Sequence, residues 1–273
     1  MSEGTTASRP PAGPGSTASA APATVAAAAP RPWGFWATMG WSVLITVVWI
    51  TAGALVLGAF LVVALAADPK LHPIEYIRSI ESSGLLLSLS TLPGYGLAMV
   101  LVILFARLRG WKVRDYLALG PLKAKETLVT VAVLLAFIAA QDTVTALSGR
   151  PIVPKFMMEA WRTAGFLPLL LLTLLIAAPV FEEAWFRGFM FRGIASSPAG
   201  RVAAVLITAV LWSLLHVQYD WFGIAAIFVG GLFLGVVRLK TGSTTLVILL
   251  HAIMNLVASV ECALVTAGVV PPM

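Results

Sequence analysis

The sequence has few charged residues and a single cysteine. Of its 273 residues, 11% are charged, whereas about 25% are charged in an average soluble domain. So few ionisable side chains cannot cover the surface of a soluble protein of this size, which excludes a soluble enzyme. The lone cysteine, Cys262, excludes an intrachain disulfide and a zinc site built from paired cysteines.

Apolar residues make up 59% of the chain and gather into long runs. A helix needs about 20 apolar residues to cross a bilayer, and only helices and closed barrels satisfy their backbone polar groups in lipid. The alternating polar pattern of a membrane barrel is absent from the sequence. We therefore predict an all-α fold, a polytopic transmembrane helix bundle of about seven spans. The predicted spans are 36–67, 85–106, 127–148, 166–191, 200–219, 221–239 and 244–268.

Three regions are predicted along the chain. Residues 1–33 are rich in Ala and Pro and contain few large apolar side chains, so they cannot offset the cost of ordering the backbone. We predict a disordered cytoplasmic tail over 1–33, N-terminal transmembrane helices over 34–165 and a second set of transmembrane helices over 166–268.

Most of the 18 Lys and Arg residues lie outside the apolar runs and do not form one basic stripe, which argues against a nucleic-acid partner. Six of them lie in the connection 107–126, and the positive-inside rule places such a connection in the cytoplasm. We therefore predict a multi-pass protein of the plasma membrane with a cytoplasmic N-terminus.

The glycine spacing Gly231-x-x-x-Gly235 predicts the close approach of two helices.

Polar and ionisable side chains also occur inside the predicted spans. An ionisable side chain near the bilayer centre costs about 2.5–3.5 kcal/mol to insert, so such residues usually face one another or a wet cavity. We expect the polar residues of different spans to meet inside the bundle. They are Glu182, Glu183 and Arg187 in the fourth span, His216 in the fifth, and His251 and Asn255 in the seventh.

The adjacent carboxylates Glu182 and Glu183 point about 100° apart on a helix, so they cannot share one environment. Arg187 follows Glu183 at the i,i+4 spacing of an ion pair, and we assign these two residues to structural support. Glu182 then faces another helix without a local cation and is the candidate general base. The alternative for this group is a solvated helix end that already lies among the lipid headgroups.

These side chains offer two ways to activate water. A carboxylate and an imidazole can hold and deprotonate a water, while a second imidazole and a carboxamide can donate hydrogen bonds to an oxyanion. The predicted catalytic residues are therefore Glu182, His216, His251 and Asn255. The first three of them also form a common Zn²⁺ ligand set. The predicted cofactor is thus one divalent metal ion or none.

Two other function classes fit buried Glu, His and Asn side chains. These groups could relay protons in a proton-coupled transporter, although the sequence shows no inverted repeat of broken helices. The protein could also be a non-catalytic membrane partner, such as a bacteriocin-immunity protein that binds a peptide without cutting it. Replacement of Glu182 by Ala would leave the cellular phenotype of such a partner unchanged.

The motifs Glu182-Glu183-x-x-x-Arg187, Trp212-x-x-x-His216 and His251-x-x-x-Asn255 occur in this order, one per span. Together they resemble the CPBP family of intramembrane metalloproteases. That family includes the type II CAAX prenyl endopeptidases and the Abi-type, bacteriocin-processing or bacteriocin-immunity proteins. The resemblance covers residues 167–260. In the second motif, tryptophan stands where the family usually has phenylalanine.

The resemblance implies an intramembrane endopeptidase, of metallo or glutamate type, that acts on a membrane-associated peptide or protein. CAAX-type processing would be one form of that activity. The resemblance also implies an active site inside the membrane that opens to the cytoplasmic side. By position, it implies a general base at Glu182, a water-holding group at His216, and oxyanion donors at His251 and Asn255.

Overall fold

The structure is a computed structural model that describes residues 1–4, 30–80 and 82–269. Within these residues, the regular secondary structure is helical and no strand is present, which confirms the predicted all-α fold. The predicted disordered tail falls mostly on residues 5–29, which lie outside the described residues.

The predicted apolar runs all form helices. Among the described residues, six helices are long and apolar enough to cross a membrane, and α10 (Gly200–Leu214) is a shorter apolar helix. The six are α1 (Phe35–Ala67), α3 (Gly84–Leu108), α5 (Ala124–Leu147), the segmented helix Leu167–Ala195, α11 (Trp221–Thr241) and α12 (Thr244–Thr266). The connections contain the short helices α2 (Pro73–Ile80), α4 (Val113–Tyr116) and α6 (Lys155–Arg162).

The predicted bounds differ most from the structure at α10, which ends at Leu214 and not at residue 219. Its 15 residues rise about 22 Å, less than the roughly 30 Å hydrocarbon core of a bilayer. The turn that follows is polar, and Asp220 begins the next helix by accepting a hydrogen bond from the Gly223 N–H at 2.9 Å. His216 therefore lies in the turn after the helix, and its predicted place inside a span is wrong.

The helix Leu167–Ala195 contains two π turns. In order, its segments are α7 (Leu167–Leu172), a first π turn (Thr173–Ala177), α8 (Ala178–Glu183), a second π turn (Ala184–Met190) and α9 (Phe191–Ala195). Such turns are frequent at functional sites. In this protein they flank α8, the segment that carries both glutamates of the first motif.

Pro179 leaves an open backbone carbonyl in the first π turn. The N–H of Ala178 donates to the backbone oxygen of Thr173, five residues earlier. With the same five-residue spacing, the N–H of residue 179 would donate to the backbone oxygen of Leu174, but residue 179 is a proline and has no N–H. The backbone oxygen of Leu174 therefore lacks the donor that an ordinary residue at position 179 would supply.

The connections lie at two opposite ends of the bundle, because consecutive long helices alternate in direction. At one end, the N–H of Thr244 donates to the backbone oxygen of Ala118 at 3.0 Å. At the other end, the N–H of Gly84 donates to Oγ1 of Thr163 at 2.9 Å. We call the first the basic end, which includes connections 109–123, 196–199 and 242–243, and the second the mouth end, which includes connections 148–154 and 215–220.

The connection 109–123 packs onto the helices at the basic end. Tyr116 is fully buried, and burial raises the pKa of its phenol to about 12. Arg192 of α9 donates to its backbone oxygen and to that of Asp115, the latter at 2.6 Å. A Cβ at Gly188 would lie 3.1 Å from the Leu117 side chain. The glycine therefore lets this connection pack closely against the segmented helix.

Gly231 and Gly235 lie where α11 meets α10. A Cβ at Gly231 would lie 3.0 Å from Cε3 of Trp212, and one at Gly235 would lie 2.9 Å from Cγ1 of Val205. The two helices therefore approach more closely than larger residues would allow. This confirms the close approach predicted from the spacing of the glycines, and it places the backbone of α11 directly against the Trp212 ring.

Candidate active site

Glu182 is held by residues of two other helices. Its Oε1 accepts a hydrogen bond from the Tyr95 hydroxyl of α3 at 2.6 Å, and its Oε2 accepts one from Nε1 of Trp212 of α10 at 2.7 Å. The side chain is half-buried, whereas that of Glu183 is fully buried. Because an indole N–H can only donate, Oε2 of Glu182 must act as an acceptor.

The Trp212 indole joins this carboxylate to both imidazoles. Its ring lies edge-on to His216, with centroids 5.0 Å apart and an interplanar angle of 74°. It also lies edge-on to His251, with centroids 5.3 Å apart and an angle of 82°. The Arg187 guanidinium lies 4.7 Å from the centroid of the same ring. The structure thereby brings Glu182, His216 and His251 together around one side chain.

Glu183 contacts two basic side chains in the core. Its Oε1 accepts hydrogen bonds from Nη1 of Arg187 and from Nδ1 of His251, both at 2.9 Å. The ion pair expected from the i,i+4 spacing is present, and both of its side chains are 0% exposed. Arg187 also donates to the backbone oxygen of Gly231 at 3.1 Å. Glu183 therefore positions His251 as well as Arg187. The sequence motifs predicted its contact with Arg187 but not its contact with His251.

Each histidine has one ring nitrogen fixed by the protein. Nδ1 of His216 lies 2.8 Å from the backbone oxygen of Trp212. Since a carbonyl only accepts, this nitrogen carries the hydrogen, and Nε2 of the neutral ring keeps its lone pair. Nδ1 of His251 is fixed in the same way by the Glu183 carboxylate. The Nε2 atoms of both rings are therefore the ones available for chemistry.

Asn255 contacts the segmented helix. Its Nδ2 donates to the backbone oxygen of Leu174 at 2.7 Å, the carbonyl that lacks a donor because residue 179 is proline. The side-chain amide thus fills the gap that Pro179 opens in the first π turn. For the oxyanion role implied by the resemblance, only the second hydrogen of this amide is left to donate.

A cavity of about 490 Å³ adjoins these residues and is lined by both imidazoles, Trp212 and Asn255. Glu182 lies outside the cavity wall and is joined to it by its hydrogen bond to Trp212. Residues of α5, α11 and α12 complete the wall. Three of the four predicted catalytic residues therefore line one cavity inside the bundle.

The mouth of the cavity is formed by the connection 148–154 and the turn 215–220. Arg150 and Asp220 form an ion pair there. The hydrogen bond from the Gly223 N–H and the one from Arg150 lower the pKa of Asp220, and burial raises the pKa of the Tyr219 phenol. At neutral pH, the mouth therefore carries a salt bridge and an uncharged hydroxyl group.

The mouth lies at the end of the bundle opposite the basic connection 109–123. The charge distribution predicts that this connection is cytoplasmic, whereas the resemblance implies that the active site opens to the cytoplasm. Along the sequence the two expectations agree, because the connection 187–201 follows closely after Glu182. The structure corrects this, since the cavity beside Glu182 opens toward the turn 215–220 and not toward the basic end. If the basic connection 109–123 is cytoplasmic, the cavity does not open to the cytoplasm, so only one of these two expectations can hold.

The alternative Zn²⁺ set of Glu182, His216 and His251 does not fit this arrangement. In the part of the chain that the structure describes, no group of three or more His, Cys, Asp or Glu side chains could hold a metal ion. Both oxygens of the Glu182 carboxylate already accept short hydrogen bonds.

Sequence reasoning missed Tyr95, although a signal for it was present. A tyrosine inside an apolar span needs a partner for its hydroxyl group, and Tyr95 follows Pro93 and Gly94 in the middle of α3. A Cβ at Gly94 would lie 2.8 Å from the Trp49 side chain, so the glycine permits the close packing of α1 and α3. The sequence did not indicate which polar group the hydroxyl would meet.

Comparison with known proteins finds one family and one relative that each match part of the chain. Residues 164–257 match the family described as Type II CAAX prenyl endopeptidase Rce1-like. A stretch of 108 residues is 33% identical to an Escherichia coli protein named "Uncharacterized 24.3 kDa protein", and it covers 39% of this chain. The match spans 49% of that relative, about half of its length. No solved structure matches the chain.

The family match contains all three motifs, from Glu182 to Asn255, and does not extend to Tyr95. The resemblance to the CPBP proteases is therefore confirmed over residues 164–257. The matched family is one of endopeptidases, and six helices of the described residues are long and apolar enough to cross a membrane.

Proposed function

We propose that this protein is a membrane-embedded endopeptidase that uses an activated water to cleave a peptide bond of a membrane-associated peptide or protein. One observation carries the proposal: a single indole, Trp212, contacts a carboxylate and two imidazoles beside an open cavity. The family match over residues 164–257 supports it. The proposed catalytic residues are Glu182, His216, His251 and Asn255.

Glu182 is the proposed general base. A water held by Nε2 of His216 loses a proton to the Glu182 carboxylate as its oxygen attacks the scissile carbonyl carbon. The new oxygen–carbon bond converts the carbonyl oxygen into an oxyanion. When the carbon–nitrogen bond breaks, the proton held by Glu182 passes to the leaving nitrogen. The products are a carboxylic acid and an amine, and the Glu182 carboxylate is regenerated.

His251 is the proposed principal oxyanion donor. Glu183 fixes its Nδ1, so the donor to the oxyanion in this role is an N–H group at Nε2, the other ring nitrogen. The remaining amide hydrogen of Asn255 supplies a second donor. The loss of one such donor lowers kcat by about 10²–10³-fold in enzymes where it has been measured.

We assign the chemistry to the helices of region 166–268 and a supporting role to region 34–165. Tyr95 and the part of the cavity wall formed by α5 come from the supporting region.

CAAX-type processing is the finer form of the proposal, in which the substrate carries a prenyl group near its C-terminus. Cleavage of a prenylated peptide, with no cleavage of its unprenylated copy, would support this form. Equal cleavage of both would contradict it.

We also propose that the protein lies in the plasma membrane with its N-terminus and basic end in the cytoplasm. The mouth end then faces the opposite side of the membrane. A Cys262→Ser background allows single cysteines to be introduced at Ser148, at the mouth end, and at Lys123, at the basic end. In intact cells, a membrane-impermeant maleimide should label only Ser148→Cys. Labelling of Lys123→Cys alone would reverse the orientation.

The activity is tested with purified protein in proteoliposomes and a library of internally quenched peptides. Glu182→Gln and His251→Ala should abolish cleavage, whereas Glu75→Gln, which changes an exposed carboxylate of α2, should not. Size-exclusion profiles must show that all variants are folded. Wild-type cleavage by both active-site variants would refute the proposal.

Elemental analysis of the purified protein, with and without a chelator, separates the two catalytic types. Loss of a bound metal together with loss of cleavage would indicate a metalloprotease.

A further inference from the structure

Trp212 contacts four ionisable groups of the candidate site described above. Its indole N–H donates to Glu182, and its ring lies against His216, His251 and the Arg187 guanidinium. The ring itself is 4% exposed. A residue with these contacts can set the relative positions of the carboxylate and the imidazoles.

We propose that Trp212 and Tyr95 are positioning residues that hold the Glu182 carboxylate in the orientation that accepts a proton. The inference rests on the proposed endopeptidase function, in which Glu182 is the general base. It adds two residues to the site, and one of them, Tyr95, lies outside the region matched by the family.

The two hydrogen bonds each hold one oxygen of the carboxylate. The last torsion of a glutamate side chain is broad and weakly restrained by itself. In this structure each oxygen accepts one short hydrogen bond, at 2.6 Å from Tyr95 and at 2.7 Å from Trp212. Both distances lie in the range of hydrogen bonds to an ionised group. The two donors belong to different helices, so the carboxylate cannot rotate without breaking one of them.

Trp212 also fixes the residue proposed to hold the water. Its backbone oxygen accepts the hydrogen bond from Nδ1 of His216 at 2.8 Å. The base and the water-holding imidazole are therefore oriented by the side chain and the backbone of one residue. A Cβ at Gly231 would already lie 3.0 Å from the ring. The backbone of α11 thus limits movement of the indole away from Glu182.

Tyr95 is itself held in place by aromatic neighbours. Its ring stacks on Trp49, with centroids 5.9 Å apart, and lies 4.7 Å from the ring of Phe181. Phe181 precedes Glu182 in α8, so the packing of the tyrosine and its hydrogen bond both act on the same turn of helix. Among the described residues, the group that accepts a hydrogen bond from the Tyr95 hydroxyl is the Glu182 carboxylate.

Two substitutions remove the donors and keep an aromatic ring at each position. Trp212→Phe keeps an aromatic ring and the backbone oxygen that orients His216, and Tyr95→Phe removes only a hydroxyl group. With the peptide that the wild-type protein cleaves fastest, each should lower kcat about 10–100-fold and change KM by about twofold or less. The matched control is Trp185→Phe, which removes a buried indole that donates to Ser42 at 3.3 Å. Its kcat should stay within about twofold of wild type.

The outcomes separate this inference from the proposed function. Wild-type kcat in both Trp212→Phe and Tyr95→Phe, with Glu182→Gln inactive, would overturn the inference and leave the endopeptidase proposal standing. An equal loss of kcat in Trp185→Phe would show that the effect is general packing and would also overturn it. Full activity of Glu182→Gln would instead overturn the general-base role on which the inference rests.

A second measurement does not need cleavage. Dicyclohexylcarbodiimide modifies carboxyl groups in their protonated form, and hydrogen bonds that both oxygens accept stabilise the ionised form. Mass spectrometry of the Glu182 peptide should therefore show faster modification in Trp212→Phe and Tyr95→Phe than in the wild-type protein or in Trp185→Phe. Equal modification rates in all four proteins would contradict the proposed role of the two donors.

Discussion

The two faces of α8 carry one glutamate each, and their surroundings differ in burial and in charge. On one face, Glu183 is fully buried and its Oε1 meets two basic side chains, Arg187 and His251. On the other, Glu182 is half-buried and is held by two neutral donors beside the cavity. A rotation of about 100° around one helix axis separates the two environments. The comparison teaches that surroundings, and not residue type, assign a carboxylate to support or to chemistry.

The largest effect is expected on the Glu182 face. Glu182→Gln keeps the shape of the side chain but removes its ability to take a proton, so cleavage should fall about 10²–10⁴-fold. The free energy of unfolding should change by about 1 kcal/mol or less, because the amide oxygen can still accept a hydrogen bond. Peptide cleavage in proteoliposomes and SDS titration of the purified protein measure the two quantities.

The same variant distinguishes the other function classes. In a proton-coupled transporter, Glu182→Gln would stop pH-driven uptake into proteoliposomes, and the wild-type protein would cleave no peptide. In a non-catalytic membrane partner, Glu182→Ala would keep the cellular phenotype. Either result would contradict the proposed role of Glu182 as the general base of an endopeptidase.

The next effect is expected on the Glu183 face. Glu183→Gln leaves the buried Arg187 cation without its counter-ion, and such a change typically costs 3–5 kcal/mol of stability, about the value expected here. SDS titration should show this loss directly. An unfolding free energy within about 1 kcal/mol of wild type would show that the pair does not support the fold.

A double variant sharpens this test. Glu183→Leu combined with Arg187→Met replaces the ion pair by apolar side chains, which often restores or exceeds the original stability. Activity should stay low, because His251 loses the carboxylate that fixes its Nδ1. Recovery of both stability and activity would show that Glu183 has no part in positioning His251.

A smaller effect is expected at the first π turn. Asn255→Leu removes the donor to the backbone oxygen of Leu174, and a buried carbonyl without a partner costs about 1–3 kcal/mol. Pro179→Ala supplies a backbone N–H at the position where one is missing, so it should reduce the cost of Asn255→Leu. A double-mutant cycle of unfolding free energies measures this coupling. Strictly additive effects would indicate that Asn255 does not compensate for the proline.

The smallest effect is expected at the mouth. Arg150 and Asp220 have side-chain exposures of 45% and 59%, and water screens ion pairs that are this exposed. Arg150→Gln should therefore leave the thermal unfolding midpoint unchanged within error and change the cleavage rate by about twofold or less. A large loss of activity with normal folding would mean that Arg150 contacts the substrate.

The sequence predicted the elements of the fold because each helix coincides with an apolar run. It also predicted the Glu183–Arg187 pair and the close approach at Gly231 and Gly235, since both follow from spacing within one helix. His216 was misplaced because apolar composition continues past Leu214, while the helix itself stops there. Composition indicates how far a run extends but not where the backbone turns.

The contacts that join the site came from tertiary structure. The hydrogen bonds from Tyr95 to Glu182 and from His251 to Glu183 cross 87 and 68 residues of sequence, and no local pattern specifies such a pairing. Pro179 was visible in the sequence as a missing donor, but its partner Asn255 lies on another helix. The end at which the cavity opens also depends on how the helices pack. These features explain why the motif residues were found while most of their partners were not.

The most direct measurement of the central claim compares Glu182→Gln with Glu183→Gln in one preparation. For each variant, the cleavage rate per folded molecule is measured beside the free energy of unfolding. The account predicts opposite results: Glu182→Gln loses cleavage and keeps its stability, whereas Glu183→Gln loses stability first. Loss of stability without loss of cleavage in Glu182→Gln, or the same behaviour in both variants, would contradict it.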